Sequence, residues 1–377
     1  MSTTIRAVDP AFVPGLQLSQ RYYDDVVEPL LGRYVGHVPH TAARIGGGSE
    51  VLGFDTPRSA DHEWGPRLQV FLHPADADRY AEKIVETLAD RLPATFLGYP
   101  THFVPTENEQ VRRMAATEGP VHHRVEVTDL GTWFSRHLGF DPRRAVTVAD
   151  WLATPTQALA EASAGVVFHD GLAQLVAARS RLAWYPPDVW RHVLACQWQR
   201  ISQEEAFVGR CGEVGDELGS AVVGARLVRD LMRLCLLMGR SYPPYSKWLG
   251  SAFARLGCAP GLTPTLIAAL AATGWRDREQ HLARAYEDIA GMHNRLGLTE
   301  PVDPATRPYH ERPFRVLRAE RFAAALVAGI SAAEIRSLPV VGAIDQYVDS
   351  TDVLSDPRRC RAAARAVLAG AEAPEAR

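Results

Sequence analysis

Hydrophobic and polar positions along this chain fall into two textures, and the change comes near residue 150. Before it, short apolar runs alternate with amphipathic stretches. Leu18–Val35 places apolar residues at helical spacing and predicts a helix, as does 76–92, which opens with Asp76 and stops before Pro93. Between them ARI at 43–45, RLQVFL at 67–72, TFLGY at 95–99 and HRVEVTDL at 123–130 predict strands. After Thr147 the two-residue period disappears. Helix-period faces occupy 147–165, 187–208, 216–239, 246–256, 263–272, 276–296 and 315–328, separated by Gly and Pro. The pattern predicts an α+β chain: a mixed sheet with flanking helices over 1–146, an all-α helical bundle over 147–360, and a C-terminal tail over 361–377.

Composition changes this picture little. The 377 residues are 46% hydrophobic and 23% charged, ordinary for a globular protein. A formal net charge of -3 offers no overall basic field for nucleic acid, which makes an RNA or DNA partner unexpected. Cys196, Cys211, Cys235, Cys258 and Cys360 are scattered and odd in number, which fits reduced thiols and a cytoplasmic protein. No run of about 18 apolar residues predicts a membrane span. The histidines at 62, 122 and 123 lack the partners a zinc site needs.

The segment 44–72, RIGGGSEVLGFDTPRSADHEWGPRLQVFL, carries the candidate chemistry. Gly46, Gly47 and Gly48 permit a tight turn and close backbone approach, and a helix starting beyond Ser49 would present free N–H groups to phosphate. Asp61 and Glu63 follow. In an extended segment they project to the same side, and two converging carboxylates call for a cation, with Mg2+ beside nucleotide phosphates the natural choice. In the alternating strand near 123–129, Glu126 stands between Val125 and Val127. An acid there is costly without a metal or proton-transfer role, so Glu126 is the third candidate and Asp129 the reserve.

Gly48–Ser49, a spacer, then the acid-x-acid pair Asp61 and Glu63 resembles the signature of the nucleotidyltransferase superfamily that includes DNA polymerase beta and the aminoglycoside nucleotidyltransferases. A longer set of motifs, GSEVLGFDTPRSADHEWGP, WYPPDVW, RISQEEAFVGR, GDELGS and YPPYSKW, is similar to the DUF4037 family over roughly residues 20–355. Glu63 departs from the Asp that the superfamily uses most often. The resemblance implies a magnesium-dependent enzyme moving a nucleoside monophosphate from an NTP to an acceptor hydroxyl, that of a small molecule, with pyrophosphate released. Gly47, Gly48 and Ser49 would hold phosphates, and Asp61, Glu63 and Glu126 would bind one or two Mg2+ ions in a cleft between the domains.

The helical half adds polar candidates. Arg200, Arg210 and Lys247 could face a triphosphate, which carries about four negative charges. Lys247 is one of two lysines, with Lys83, in an arginine-rich chain. Other arginine and acid spacings, such as Arg226, Arg229 and Asp230, equally suit salt bridges between helices. Two other readings stay open: a toxin-type enzyme modifying tRNA or protein, and a nucleotide sensor without catalysis.

Overall fold

The computed structural model describes residues 11–368, and the chain is a mixed α and β protein in which helices predominate. It divides into two compact units. The first comprises the chain up to Ala145 together with Ala158–Ala183, and the second comprises Val146–Gln157 together with the chain from Trp184.

A four-stranded sheet organises the first unit. Its strands are β1 (His40–Arg44), β2 (Arg67–Leu72), β3 (Arg124–Asp129) and β4 (Val166–Asp170), in the order β3-β2-β1-β4. β1 runs antiparallel to β2 and β4, while β2 and β3 are parallel. The crossover between β2 and β3 includes α1 (Pro74–Arg91), and α2 (Leu130–Leu138) follows β3 directly.

Strand alternation sorts side chains between the two faces of this sheet. Leu68, Val70, Leu72 and Val125 join Tyr22, Tyr23, Val27, Leu31, Ile84 and Leu88 in one core. The intervening residues of β2 turn to the other face, where Phe71 meets Trp133 of α2 edge-on at 6.0 Å. Arg67 and Gln69 share that face at the start of the strand, and both are buried.

The first helix of the sequence pattern is found as one helical run from Gly15 to Tyr34, with a π turn at Tyr23–Val27. TFLGY is a two-stranded hairpin, Thr95–Phe96 with Tyr99–Pro100, because Leu97 and Gly98 both take positive φ and reverse the chain. The helix expected over 147–165 is broken into Val148–Ala153 and Thr156–Ser163. Pro155 lies at the break, lacking an N–H and disfavouring helix at Thr154. β4 is absent from the sequence prediction altogether, and it returns residues 166–170 to the sheet as the edge strand next to β1.

The second unit is helical, with α3 (Pro187–Glu204), α4 (Glu217–Met238), α5 (Ala259–Ala271) and α6 (Trp275–Arg295) its longest described helices. A small hairpin pairs Arg307–Pro308 with Arg315–Val316. The tail expected from 361 is helical as far as Leu368, in the helix Pro357–Leu368, and the rest of that expectation lies outside the described residues. No described helix is long and apolar enough to cross a membrane.

Candidate functional site

β1 ends at Arg44, and the chain enters the glycine turn with Gly46 at φ 82° and Gly48 at φ 149°, values that favour glycine. Here Gln69 continues the ladder with its side chain: its Oε1 accepts from Ile45 N at 3.1 Å, and its Nε2 donates to Ile45 O at 3.2 Å. Residues 49–53 form turns, so the helix start expected after Ser49 is absent. Ser49 is half-buried, and its carbonyl accepts from Phe54 N at 2.8 Å. Gly46 N donates to Glu161 O at 2.9 Å. Among the described residues, no acceptor is bonded to the N–H of Gly47, Gly48 or Ser49.

Directly beneath the turn lies a buried Arg–Glu–Arg group. Arg44 Nε and Arg67 Nε donate to Glu50 Oε1 at 2.8 and 2.9 Å, and the Nη2 of each arginine lies within ion-pair distance of the same oxygen, at 2.8 and 2.7 Å. Arg44 also donates to the carbonyls of Ile45 and Gly47, both at 2.5 Å. Burial, with Arg67 alongside, lowers the Arg44 guanidinium to about 10. Burial opposes the Glu50 charge, yet the two arginines outweigh it and hold the carboxyl below its usual range. A Cβ on Gly48 would come within 2.5 Å of Arg44 Nη2 and 2.6 Å of both Arg67 Nη2 and Glu50 Oε2. Gly48 is therefore required by the ion group under it, a use the sequence pattern does not reveal.

The acid pair is placed differently from the extended arrangement expected. Asp61 ends a 3-10 turn, Pro57–Asp61, and Glu63 stands at φ 45°, so the segment is not extended and β2 begins only at Arg67. A left-handed glutamate costs about 1–3 kcal/mol and persists only where surroundings fix it. What fixes it is a double tie to Arg112: Glu63 N donates to Arg112 O, and Arg112 N donates to Glu63 Oε1, both at 2.7 Å. Glu63 Oε2 accepts from Arg124 Nη2 at 2.8 Å and Arg67 Nη1 at 3.4 Å. Asp61 is more than half exposed and pairs with His62 at 2.8 Å.

Glu126 does share a sheet face with Arg124, as the alternation predicts, but its register partner on β2 is Gln69. Its Oε1 accepts from Arg136 Nη1 at 2.7 Å. Asp129, the reserve, caps α2, accepting from Gly131 N at 2.8 Å and Thr132 N at 3.1 Å. Asp61, Glu63 and Glu126 are thus engaged by three different sets of partners. Among the described residues no three His, Cys, Asp or Glu side chains are grouped to hold a metal. As placed, Glu63 has both oxygens engaged by protein donors, while Asp61 and Glu126 each have one oxygen engaged, by His62 and Arg136.

What the fold does build is a cavity of about 380 Å³, lined by Arg44 at the end of β1, by Ile45 and Gly47 after it, by the first residues of β2 and β3, and by His137 of α2. Arg44, Arg67 and Arg124 reach it, and of these only Arg124 is substantially exposed. None of the three stands among the sequence candidates. The available signal was a charged residue at the end of an otherwise apolar strand, which is costly unless paired.

The candidates from the helical half lie in the second unit. Arg200 Nε donates to Asp230 at 3.0 Å and its Nη1 to the Gln346 carbonyl at 2.6 Å, so it ties that unit together. Arg210 is exposed and lies 5.8 Å from the Phe207 ring centroid. Lys247 is exposed, 5.6 Å from the Trp248 ring centroid. Arg226 pairs with Glu204 at 2.7 Å, joining α4 to α3.

Compared with known proteins, the chain matches no curated protein and no solved structure. The GGGS turn, Asp61, Glu63 and Glu126 lie outside the one stretch that a family model matches. That stretch is residues 151–249, which match the domain of unknown function DUF4037 and support the resemblance to that family.

Proposed function

We propose that the first unit binds the phosphate chain of a nucleoside triphosphate in the arginine-lined cavity and transfers its nucleotidyl group to a hydroxyl acceptor, releasing pyrophosphate. One observation supports this best: around a space of about 380 Å³, Arg44, Arg67, Arg124 and Arg136 meet three carboxylates, Glu50, Glu63 and Glu126, which leaves one positive charge over. A half-buried positive surplus attracts an anion, and planar guanidiniums match phosphate oxygens in pairs. The N–H groups of Gly47, Gly48 and Ser49 at the same strand end add the donors that a phosphate takes from a glycine turn. Resemblance of the Gly48–Ser49 and Asp61/Glu63 segment to the nucleotidyltransferases supplies the reaction.

In this reading Arg124 exchanges partners, leaving Glu63 for a phosphate oxygen, while Arg44 and Arg67 stay fixed by Glu50. Neutralising the phosphates and fixing the α-phosphorus next to the acceptor then carry the rate. Binding without transfer is the second reading, favoured by the engagement of both Glu63 oxygens with protein donors. Calorimetry with ATP, GTP, CTP and UTP, with and without magnesium, tests binding. Mass spectrometry of pooled hydroxyl acceptors, with a pyrophosphate assay, tests transfer. Binding with no pyrophosphate from any pool selects the second reading, and no binding of any nucleotide defeats both.

A further inference from the structure

His137 lies in the last turn of α2 and lines the arginine cavity, although nothing in the sequence pattern marked it. Its ring stacks on Trp133, with centroids 4.0 Å apart and planes 20° apart. Its Nδ1 is 2.9 Å from the Trp133 carbonyl oxygen. A carbonyl oxygen only accepts, so the ring nitrogen facing it must carry the hydrogen. Nε2 is left with the lone pair, on the side of the glycine turn, 3.8 Å from where a Cβ on Gly46 would stand.

The charged groups around the ring are Arg136 on its own helix, Glu126 on β3 and Arg44 at the end of β1. Glu126 is already paired with Arg136. Burial first, then the two arginines, lower the imidazole from its ordinary value, against the Trp133 hydrogen bond and Glu126. The ring is therefore neutral at neutral pH, held in one tautomer and one orientation by stacking and by the carbonyl. A fixed, neutral imidazole that lines an anion-attracting cavity, with Nδ1 bound to a carbonyl, has the form a general base requires.

We propose that His137 is the general base of this cavity. Its Nε2 takes the proton of the acceptor hydroxyl as that oxygen bonds to the α-phosphorus. The bond from the α-phosphorus to the bridging oxygen breaks, pyrophosphate leaves with the electron pair, and the imidazolium returns its proton to water. Glu126, the base expected from the sequence, has Oε1 held at 2.7 Å by Arg136. The inference rests on the nucleotidyl-transfer reading of the same cavity.

The test uses the full chain with the four common NTPs and magnesium, reading pyrophosphate release to water or to pooled hydroxyl acceptors. His137→Gln is expected to lower kcat by about 100-fold or more. It should leave the calorimetric Kd for nucleotide within about twofold and remove the fall in rate expected of wild type on acidification below the ordinary histidine value of about 6.5. Wild-type turnover by His137→Gln overturns the proposal, as does a Glu126→Gln variant that removes the acid limb while His137→Gln keeps it. Nitrogen NMR of the wild-type histidines with a non-hydrolysable ATP analogue needs no turnover. The Nδ1–H tautomer, with an Nε2 resonance that moves when the analogue binds, supports the assignment. An Nε2–H tautomer, or an Nε2 resonance unmoved by a bound analogue, overturns it. An analogue that does not bind defeats the functional reading itself, and this inference falls with it.

Discussion

Arginine is used in opposite ways in the two units. In the second, Arg200 joins Asp230 and the Gln346 carbonyl, Arg233 meets Asp345 at 3.0 Å, and Arg278 donates to Ser220 Oγ at 2.8 Å and the Ala272 carbonyl at 2.5 Å. Each of these three guanidiniums ends on a protein acceptor, which fixes one helix or loop against another. In the first unit Arg44 and Arg67 are tied just as firmly to Glu50, but together with Arg124 they also border a void. Both regions use arginine because its planar fork takes several acceptors at once. The difference lies in the charge left over, and leftover charge beside empty space separates a candidate binding site from scaffolding.

The sharpest way to break this comparison is to remove the anchor under the cavity. Glu50→Ala leaves Arg44 and Arg67 buried together, and loss of one member of a buried ion group costs about 3–5 kcal/mol. Urea denaturation should record a loss of that size, with hydrogen exchange placing it in the first unit. A loss below about 1 kcal/mol would mean that the arginines carry no buried charge worth neutralising.

Acid should act mainly on the second unit. His192 and His293 are buried, and burial lowers both imidazoles to about 4. Trp198 Nε1 donates to His293 Nδ1 at 3.1 Å, a bond that a proton on that nitrogen abolishes. A histidine whose folded value lies below its unfolded value of about 6.5 contributes stability that is complete above that value. That contribution is lost as pH falls from 6.5 towards 4. At about 1.4 kcal/mol per unit, the loss approaches roughly 3 kcal/mol for each of the two. His40, His123 and His137 move in the same direction in the first unit. Hydrogen exchange followed through this range should show the second unit losing protection first, and the reverse order would contradict the assignment.

Arg124→Gln sharpens the comparison at the cavity rim. Its side chain is about one-third exposed, so its pairing with Glu63 stabilises the fold by about 1 kcal/mol or less. A lost hydrogen bond to a charged phosphate is worth about 1.5–3 kcal/mol, so nucleotide affinity should fall by more than stability does. Equal losses in calorimetry and in thermal melting would make Arg124 ordinary scaffolding. The smallest effect is expected from Lys247→Ala. Exposed substitutions usually stay within about 0.5 kcal/mol, and the nucleotide Kd should hold within about twofold if the cavity supplies the phosphate contacts. A tenfold loss would bring the second unit's lysine into the binding site.

Helix and strand periods were legible where local pattern and burial agree. RLQVFL is β2 at its expected ends, and the helix expected over 76–92 is Pro74–Arg91. The alternation at 123–129 correctly separated Val125 and Val127 from Arg124 and Glu126. β4 was hidden because VVFHD is a short run without a clear alternation, and its pairing with β1 spans more than a hundred residues.

The candidate site was legible as a location more than as a set of partners. Its glycines and acids were visible, yet whether Glu63 faces a cation or an arginine depends on Arg112 and Arg124, some fifty and sixty residues further on. The sequence by itself determined the α+β class, the elements that frame the glycine turn, and the face on which Glu126 lies, because these follow from local periodicity. Only the tertiary structure decided that Gly48 covers a buried ion group, that three arginines border one cavity, and that His137 lines it with its ring stacked on Trp133. Charge pairing and proton position depend on distances of a few ångströms between residues far apart in the chain, and no period or spacing in a sequence encodes those distances.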